Sequence, residues 1–317
     1  MNPVPLFLII VTLPLLLGSV CNAELRTWTA VNGKEVKAEF VSNEKGIVKL
    51  KLKSGKVFEV PAKKLSKKDN EFISSLAKLD GVNSEELEYR EGFYYLLDSD
   101  TPYTGNSFTL WKNGQKRDEV NYKDGKPDGL TTGWYENGQK KIEANYKDGR
   151  LDGVIANWYE NGQKKSEQNY KKGKLNGNMT AWHENGKKML DGNYKEGIQN
   201  GLMITWHNNG SKRSEGNFKN GIKEGLFTRW YENQQKKDIV NFKYGKPQGL
   251  QLNWYRNGQK KSEVNYEKGK KEGPFTEWHE SGQKKGEASF KADEIISVKY
   301  WNKDGESVDT FEEAEAE

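Results

Sequence analysis

The chain has 317 residues, 31% of them charged and 33% hydrophobic, and its 51 Lys and Arg against 46 Asp and Glu give a formal net charge of +5. So small an excess, with acids interspersed among the bases, excludes a nucleic-acid groove. A single cysteine, Cys21, excludes a disulfide framework and any thiolate site downstream of it.

Residues 5–20 form an apolar run of signal-peptide length, interrupted by Pro14 and too short to span a bilayer as a helix. Cys21-Asn22-Ala23 places small residues where a signal peptidase reads, so residues 1–23 are expected to be cleaved as a signal peptide. Acylation of Cys21 is the disfavoured alternative, because Val20 is bulkier than the residue usually found there. Export to a bacterial periplasm or beyond is the localisation this implies.

Residues 24–79 read as a first module. Val36, Ala38, Phe40 and Val48, Leu50, Leu52 alternate with polar residues, and Val57 to Val60 come after the Ser54-Gly55 turn pair, predicting short antiparallel strands of a small barrel. Ser66 followed by Asp69 predicts a helix start, with the helix running to about Leu79. Arg26-Thr27-Trp28, Val36 to Phe40, Val60-Pro61 and Leu65 to Asp69 resemble the SLA homology domain, an SH3-like barrel. That resemblance implies a module able to bind short Asn-Pro-Phe-type peptides. Residues 80–92 are polar and read as a linker, and Tyr89 to Leu97 as a strand leading into a repeated segment.

Residues 93–305 carry that repeat. Tryptophan recurs every 23 or 24 residues, from Trp111 through Trp134, Trp158, Trp182, Trp206, Trp230, Trp254 and Trp278 to Trp301. A glycine precedes it by five positions (Gly129, Gly153), Asn-Gly comes after it (Asn137-Gly138, Asn161-Gly162), and an aromatic lies twelve residues later (Tyr146, Tyr170, Phe218). A fixed period of this length marks an array of stacked units. Asn-Gly between β-prone segments predicts a hairpin in each unit, here Leu130 to Glu136 and Lys140 to Lys147. A turn with Gly138 in the left-handed position pairs Trp134 with Lys140. It is expected to put Leu130, Thr132, Trp134, Ile142, Ala144 and Tyr146 on one face, opposite Lys141, Glu143 and Asn145. The fold class is therefore all-β, a small SH3-like barrel followed by an elongated antiparallel hairpin array, with residues 306–317 as a disordered acidic tail.

Trp134-Tyr135-Glu136-Asn137-Gly138-Gln139 and Asn145-Tyr146-Lys147-Asp148-Gly149 resemble the bacterial variant of the MORN repeat. Proteins so labelled are often linked to toxin–antitoxin pairs, which implies an antitoxin-like inhibitor as one role. The sixth repeat departs from the pattern, with Gln234 for the turn glycine and Ile239 for the usual acid, and a looser turn is expected there.

Nothing in the array converges as catalysis requires, so no enzyme, cofactor or metal is expected. His183, His207 and His279 replace the tyrosines of other units, and neighbouring units about 9–10 Å apart are too distant to share a metal. The acids Glu143, Glu167 and Asp191 run beside Lys141, Lys165 and Lys188 as a solvated charged face. The tryptophans are expected in the core. Tyr135, Tyr159, His183, His207, Tyr231, Tyr255 and His279 then become the candidate partner-binding row. Three functions are compatible with such a row: an exported, non-enzymatic scaffold for a protein partner, a binder of envelope glycans or lipid surfaces, and an inhibitor of a toxin-like protein. The glycan reading uses the same aromatics with Asn121, Asn145, Asn169, Asn193, Asn217, Asn241 and Asn265.

Overall fold

The computed structural model describes residues 25–76 and 80–315, so the expected signal peptide and the expected extension of the helix to Leu79 lie outside the described residues. The chain divides into two compact units, up to Lys126 and from Pro127 onward.

In the first unit, strands Arg26–Thr29, Glu35–Glu44, Ile47–Lys51 and Val57–Pro61 pair in chain order as an antiparallel sheet. Trp28, Ala38, Val48, Leu50, Leu65 and Ile73 form its core, with Phe40, Phe58 and Phe72 packed around them. Among the described residues the first and fourth strands do not pair, so the expected barrel appears as a four-stranded meander. The helix Lys67–Leu76 starts where predicted, because the Ser66 hydroxyl accepts from the Asp69 backbone N–H at 3.2 Å.

Residues 80–92 are not the linker expected from their polarity. Val82–Asn83 pairs in parallel with Ser107 and Phe108, and Asn83 caps a short 3₁₀ turn. Leu87–Arg90 pairs with Phe93–Leu96 across a turn at Glu91-Gly92, both with positive φ, so the single entering strand is in fact a hairpin. Backbone pairing here outweighs the low apolar content. The first, atypical repeat hairpin, Gly105–Leu110 with Lys116–Lys123, also belongs to this unit.

The second unit is an antiparallel ladder that follows chain order, with Lys236–Lys243 pairing both with Lys246–Pro247 and with Gly249–Trp254. It opens with an outgoing strand Lys126–Trp134 and a return strand Lys140–Lys147, and the pattern recurs to Glu294–Trp301. Two turn types alternate. At the tryptophan end, Gly138 sits at φ 82° and its N–H bonds the Tyr135 carbonyl at 2.9 Å, the glycine-bulged type I turn predicted. At the other end Lys147 faces Arg150 across Asp148-Gly149, with φ of 50° and 74°, a two-residue type I′ turn.

Trp134 does pair with Lys140, as expected, but the faces are different from those expected. A second bulge comes next, so that Gly133 meets Ile142 and Lys141 is left over. Past this bulge the return strand is inverted relative to the simple register. Trp134, Thr132 and Leu130 share a face with Lys140, Glu143 and Asn145, here called the tryptophan face. Thr131 and Gly133 share the opposite, tyrosine face with Ile142, Ala144 and Tyr146. Leu130 is consequently 40% exposed rather than core.

The bulge has a chemical consequence. In a regular strand Lys140 and Glu143 would point to opposite faces. With one residue bulged out they meet, Nζ to Oε2 at 2.8 Å, and the same ion pair recurs at Lys164–Glu167, Lys188–Asp191, Lys212–Glu215 and Lys260–Glu263.

A central row on the tyrosine face is tightly covered: Thr131, Ala144, Ile155, Gln168 and Val264 are buried. Size alternates across it, and Gly216 leaves room for Phe227, which stacks edge-on with Phe218 and Phe242. A Cβ at Gly216 would lie 2.3 Å from two Phe227 ring carbons, while its φ lies outside the left-handed region. Gly216→Ala is therefore expected to cost about 1–3 kcal/mol by crowding alone. Denaturant melts should show Phe227→Leu in the same chain recovering most of that loss.

Two further expectations are corrected. The acidic tail is not disordered through Glu315: Phe311–Glu315 is a helix capped by Thr310, with Ala314 buried and Phe311 packed edge-on against Tyr300. Lys285 forms an ion pair with Glu315, so the tail's charge is used rather than merely solvated. The sixth repeat's turn is not looser either. Gln234 takes the glycine's conformation at φ 70°, and its N–H still bonds Tyr231 at 3.0 Å. A side chain held there stores strain of roughly 1 kcal/mol, so Gln234→Gly should stabilise the array by about that much in a urea melt.

Candidate interaction surface

The seven residues singled out as a partner-binding row join units to each other. Tyr135 Oη donates to the Trp158 carbonyl at 2.8 Å, Tyr159 to Trp182 at 2.8 Å, Tyr231 to Trp254 at 2.9 Å and Tyr255 to Trp278 at 2.8 Å. The histidines occupy the same place: Nε2 of His183, His207 and His279 lies 3.3, 3.0 and 3.1 Å from the carbonyls of Trp206, Trp230 and Trp301. All seven are half-buried, and their polar ends are engaged. They are not plain surface residues. Sequence reasoning missed this because a period of one unit marks contact between units as readily as contact with a ligand.

Burial, then the nearby Glu160 carboxylate, pushes the Tyr135 hydroxyl above its usual 10.0, and Tyr159 and Tyr255 shift the same way, again chiefly by burial. The folded state holds these protons more tightly than the unfolded chain, so stability is intact below pH 10.0 and falls as pH rises beyond it. An alkaline titration followed by circular dichroism should show that loss beginning earlier in the native chain than in Tyr135→Phe/Tyr159→Phe.

The turns are stitched as well. Asn137 Nδ2 donates to the Glu160 carbonyl at 3.0 Å, while its Oδ1 receives the Gln139 N–H at 2.9 Å. Asn161 repeats both bonds one unit on.

The tryptophans are half-buried, not core. Six of the rings lie beneath a lysine from the preceding unit, those of Trp158, Trp182, Trp206, Trp230, Trp278 and Trp301: Lys140 Nζ is 5.3 Å from the Trp158 ring centre, Lys164 5.8 Å from Trp182 and Lys188 5.6 Å from Trp206. The same lysines carry the ion pairs, so acid, base and ring form one stack per unit. Ile239 breaks the series, standing at the acid's position three residues after Lys236.

Of the asparagines considered for glycan contact, Asn145 and Asn169 donate to the Val154 and Asn178 carbonyls at 3.2 and 3.1 Å. Beside this row lie exposed aliphatics, among them Val154, Leu202, Leu226 and Leu250. Their exposure was hidden in the sequence by the second bulge. Among the described residues no cluster of three His, Cys, Asp or Glu could hold a metal, and no helix is long and apolar enough to cross a membrane.

Residues 21–80 match the SLA1 homology domain 1, and residues 127–148, 151–172, 175–196, 199–220, 247–268 and 271–292 match the MORN repeat variant. The unmatched interval between 220 and 247 is the one carrying Gln234 and Ile239. No curated protein matches the chain. Such repeats suit a scaffold for protein or membrane binding. The chain is an SLA1 homology domain 1 followed by repeats of the MORN variant.

Proposed function

We propose that the chain is an exported, non-catalytic scaffold whose array holds a protein partner. The observation that carries this reading is the division of labour among the recurring side chains. Tyrosine, histidine and lysine at fixed positions reach from unit to unit, the lysine also holding the acid of its own strand, and beside them runs a row of exposed aliphatic side chains. Sites of chemistry concentrate unlike groups at one place, whereas this surface repeats one set of groups along a line. Protein docking suits exposed aliphatics better than a neutral glycan does, since sugars are gripped by aromatic faces and the recurring rings are half-buried, several of them beneath lysines.

Affinity capture from the envelope fraction with the full mature chain, run beside a glycan array, tests the proposal. A stoichiometric protein partner and no glycan signal is the expected result. Glycan binding with no captured protein would refute it. Export is tested by N-terminal sequencing of host material, which should begin at Glu24, and an intact Met1 or an acylated Cys21 would refute cleavage after Ala23.

A further inference from the structure

The exposed aliphatics are not spread evenly, and their neighbours suggest what they meet. Between residues 195 and 250 the tryptophan face carries two adjacent exposed rows. Nearest the type I′ turns, Lys195 pairs with Ile198, Lys219 with Ile222 and Lys243 with Lys246. In the next row, Leu202 pairs with Asn217, Leu226 with Asn241 and Leu250 with Asn265. Ile222, Leu226 and Leu250 are 50%, 57% and 54% exposed, and Tyr244, at the turn beside them, is 78% exposed. The four lysines are exposed. Two nearby carboxylates are already occupied: Glu196 is paired with Lys174 at 3.3 Å, and Glu224 accepts the Tyr244 N–H at 3.0 Å.

Resting on the scaffold reading, we propose that this patch is a docking site for an acidic amphipathic helix of the partner, laid across the strands. The spacing selects the helix. Leu202, Leu226 and Leu250 occupy equivalent positions two strands apart, so they recur every ~9.6 Å at ordinary strand spacing. Seven residues of α-helix advance ~10.5 Å, so apolar residues at heptad spacing meet successive leucines in register. An extended segment covers the same distance in about three residues, and successive contacts would then point to opposite sides. Charge selects the acidic partner: carboxylates flanking the apolar stripe face Lys195, Lys219, Lys243 and Lys246, whose ammonium groups have no acidic partner among the described residues. Ile198 and Ile222, offset toward the turns, broaden the contact to the width of a helix face. An anionic lipid surface would use the same charges but has no need of the period.

The test is fluorescence anisotropy of the full mature chain with a labelled peptide of three Leu/Glu heptads, a scrambled peptide of the same composition, and phosphatidylglycerol vesicles by sedimentation. The heptad peptide should bind, the scrambled one at least about tenfold more weakly. Leu226→Ser with Ile222→Ser, and separately Lys219→Glu with Lys243→Glu, should each cost at least about tenfold. Leu130→Ser, in the same row but outside the patch, should bind as the native chain does. Circular dichroism confirms that each variant folds. Equal binding of the scrambled peptide, binding unaffected by the patch variants, or vesicle binding without peptide binding would each overturn the proposal. Capture of a protein partner unchanged by Leu226→Ser would overturn this docking site while leaving the scaffold reading in place.

Discussion

Asp69→Ala is expected to unfold the N-terminal module while leaving the repeat array intact. Asp69 is 2% exposed, and its carboxylate accepts from Arg26 at 2.8 Å, the Thr29 N–H at 2.8 Å and the Ser66 hydroxyl at 2.7 Å. It therefore ties the first strand to the start of the helix through three bonds. Arg26 in turn lies 3.8 Å from the centre of the Phe72 ring, and burial holds its guanidinium below the usual value, opposed by Asp69. Removing the carboxylate strands that cation against an aromatic core, a loss of about 3–5 kcal/mol. A module of some fifty residues has little more than that to lose. Ser66→Ala removes only a cap and should cost about 1 kcal/mol. Hydrogen exchange resolves the two units. Protection should vanish over Arg26–Pro61 in Asp69→Ala and persist from Arg150 onward. Loss of protection along the whole chain would show that the units do not fold separately.

The repeat period and its turns could be read from the chain because each is a local signal. Asn137-Gly138 and Asp148-Gly149 specify positive φ within two residues, and tertiary structure has little power to change that. The faces could not be read in the same way. They depend on the parity of a strand, and one bulged residue, Lys141, reverses the parity of everything after it. Its cause lies partly outside the unit, in the seating of Lys140 on Trp158 of the following one. A trace of it was present in the sequence: Lys140 and Glu143, like Lys164 and Glu167, recur three residues apart, a spacing with no meaning in a flat strand.

The contacts of the candidate row were hidden for a related reason. Tyr135 and its equivalents looked like a surface row because the residue after a core tryptophan ought to face outward. The tryptophan is not core, and the hydroxyl spans two strands to reach the Trp158 carbonyl. The histidines show how permissive the arrangement is, since His207 is 3.0 Å from the Trp230 carbonyl with a ring shorter than tyrosine's. What both side chains share is a polar atom at the end of a flat ring. The tail carried a signal that its acidity masked, Thr310 with Glu313 three residues later, a capping box that the structure uses.

Trp158→Ala and Tyr159→Ala should damage the array in opposite directions along the chain. The Trp158 ring lies under Lys140, whose ammonium also holds Glu143, so its contacts run back to the preceding return strand. Deleting a half-buried indole should cost about 2–4 kcal/mol, less than a fully buried one, and lower the protection of Lys140–Lys147. The Trp158 carbonyl survives the substitution, so Tyr135 keeps its acceptor. Tyr159 reaches forward, donating to Trp182 at 2.8 Å, and Lys165 lies over its ring at 5.4 Å. Tyr159→Phe should cost about 1 kcal/mol for the hydrogen bond alone. Tyr159→Ala should cost about 2–3 kcal/mol, with protection lost over Lys174–Trp182. In an array each unit leans on its neighbours, so neither change should spread beyond the adjoining hairpins. Hydrogen exchange on the three variants reads both the size and the direction. If Tyr159→Ala leaves Lys174–Trp182 as protected as before, the tyrosine is a surface residue after all, and the row it belongs to regains its claim to a partner.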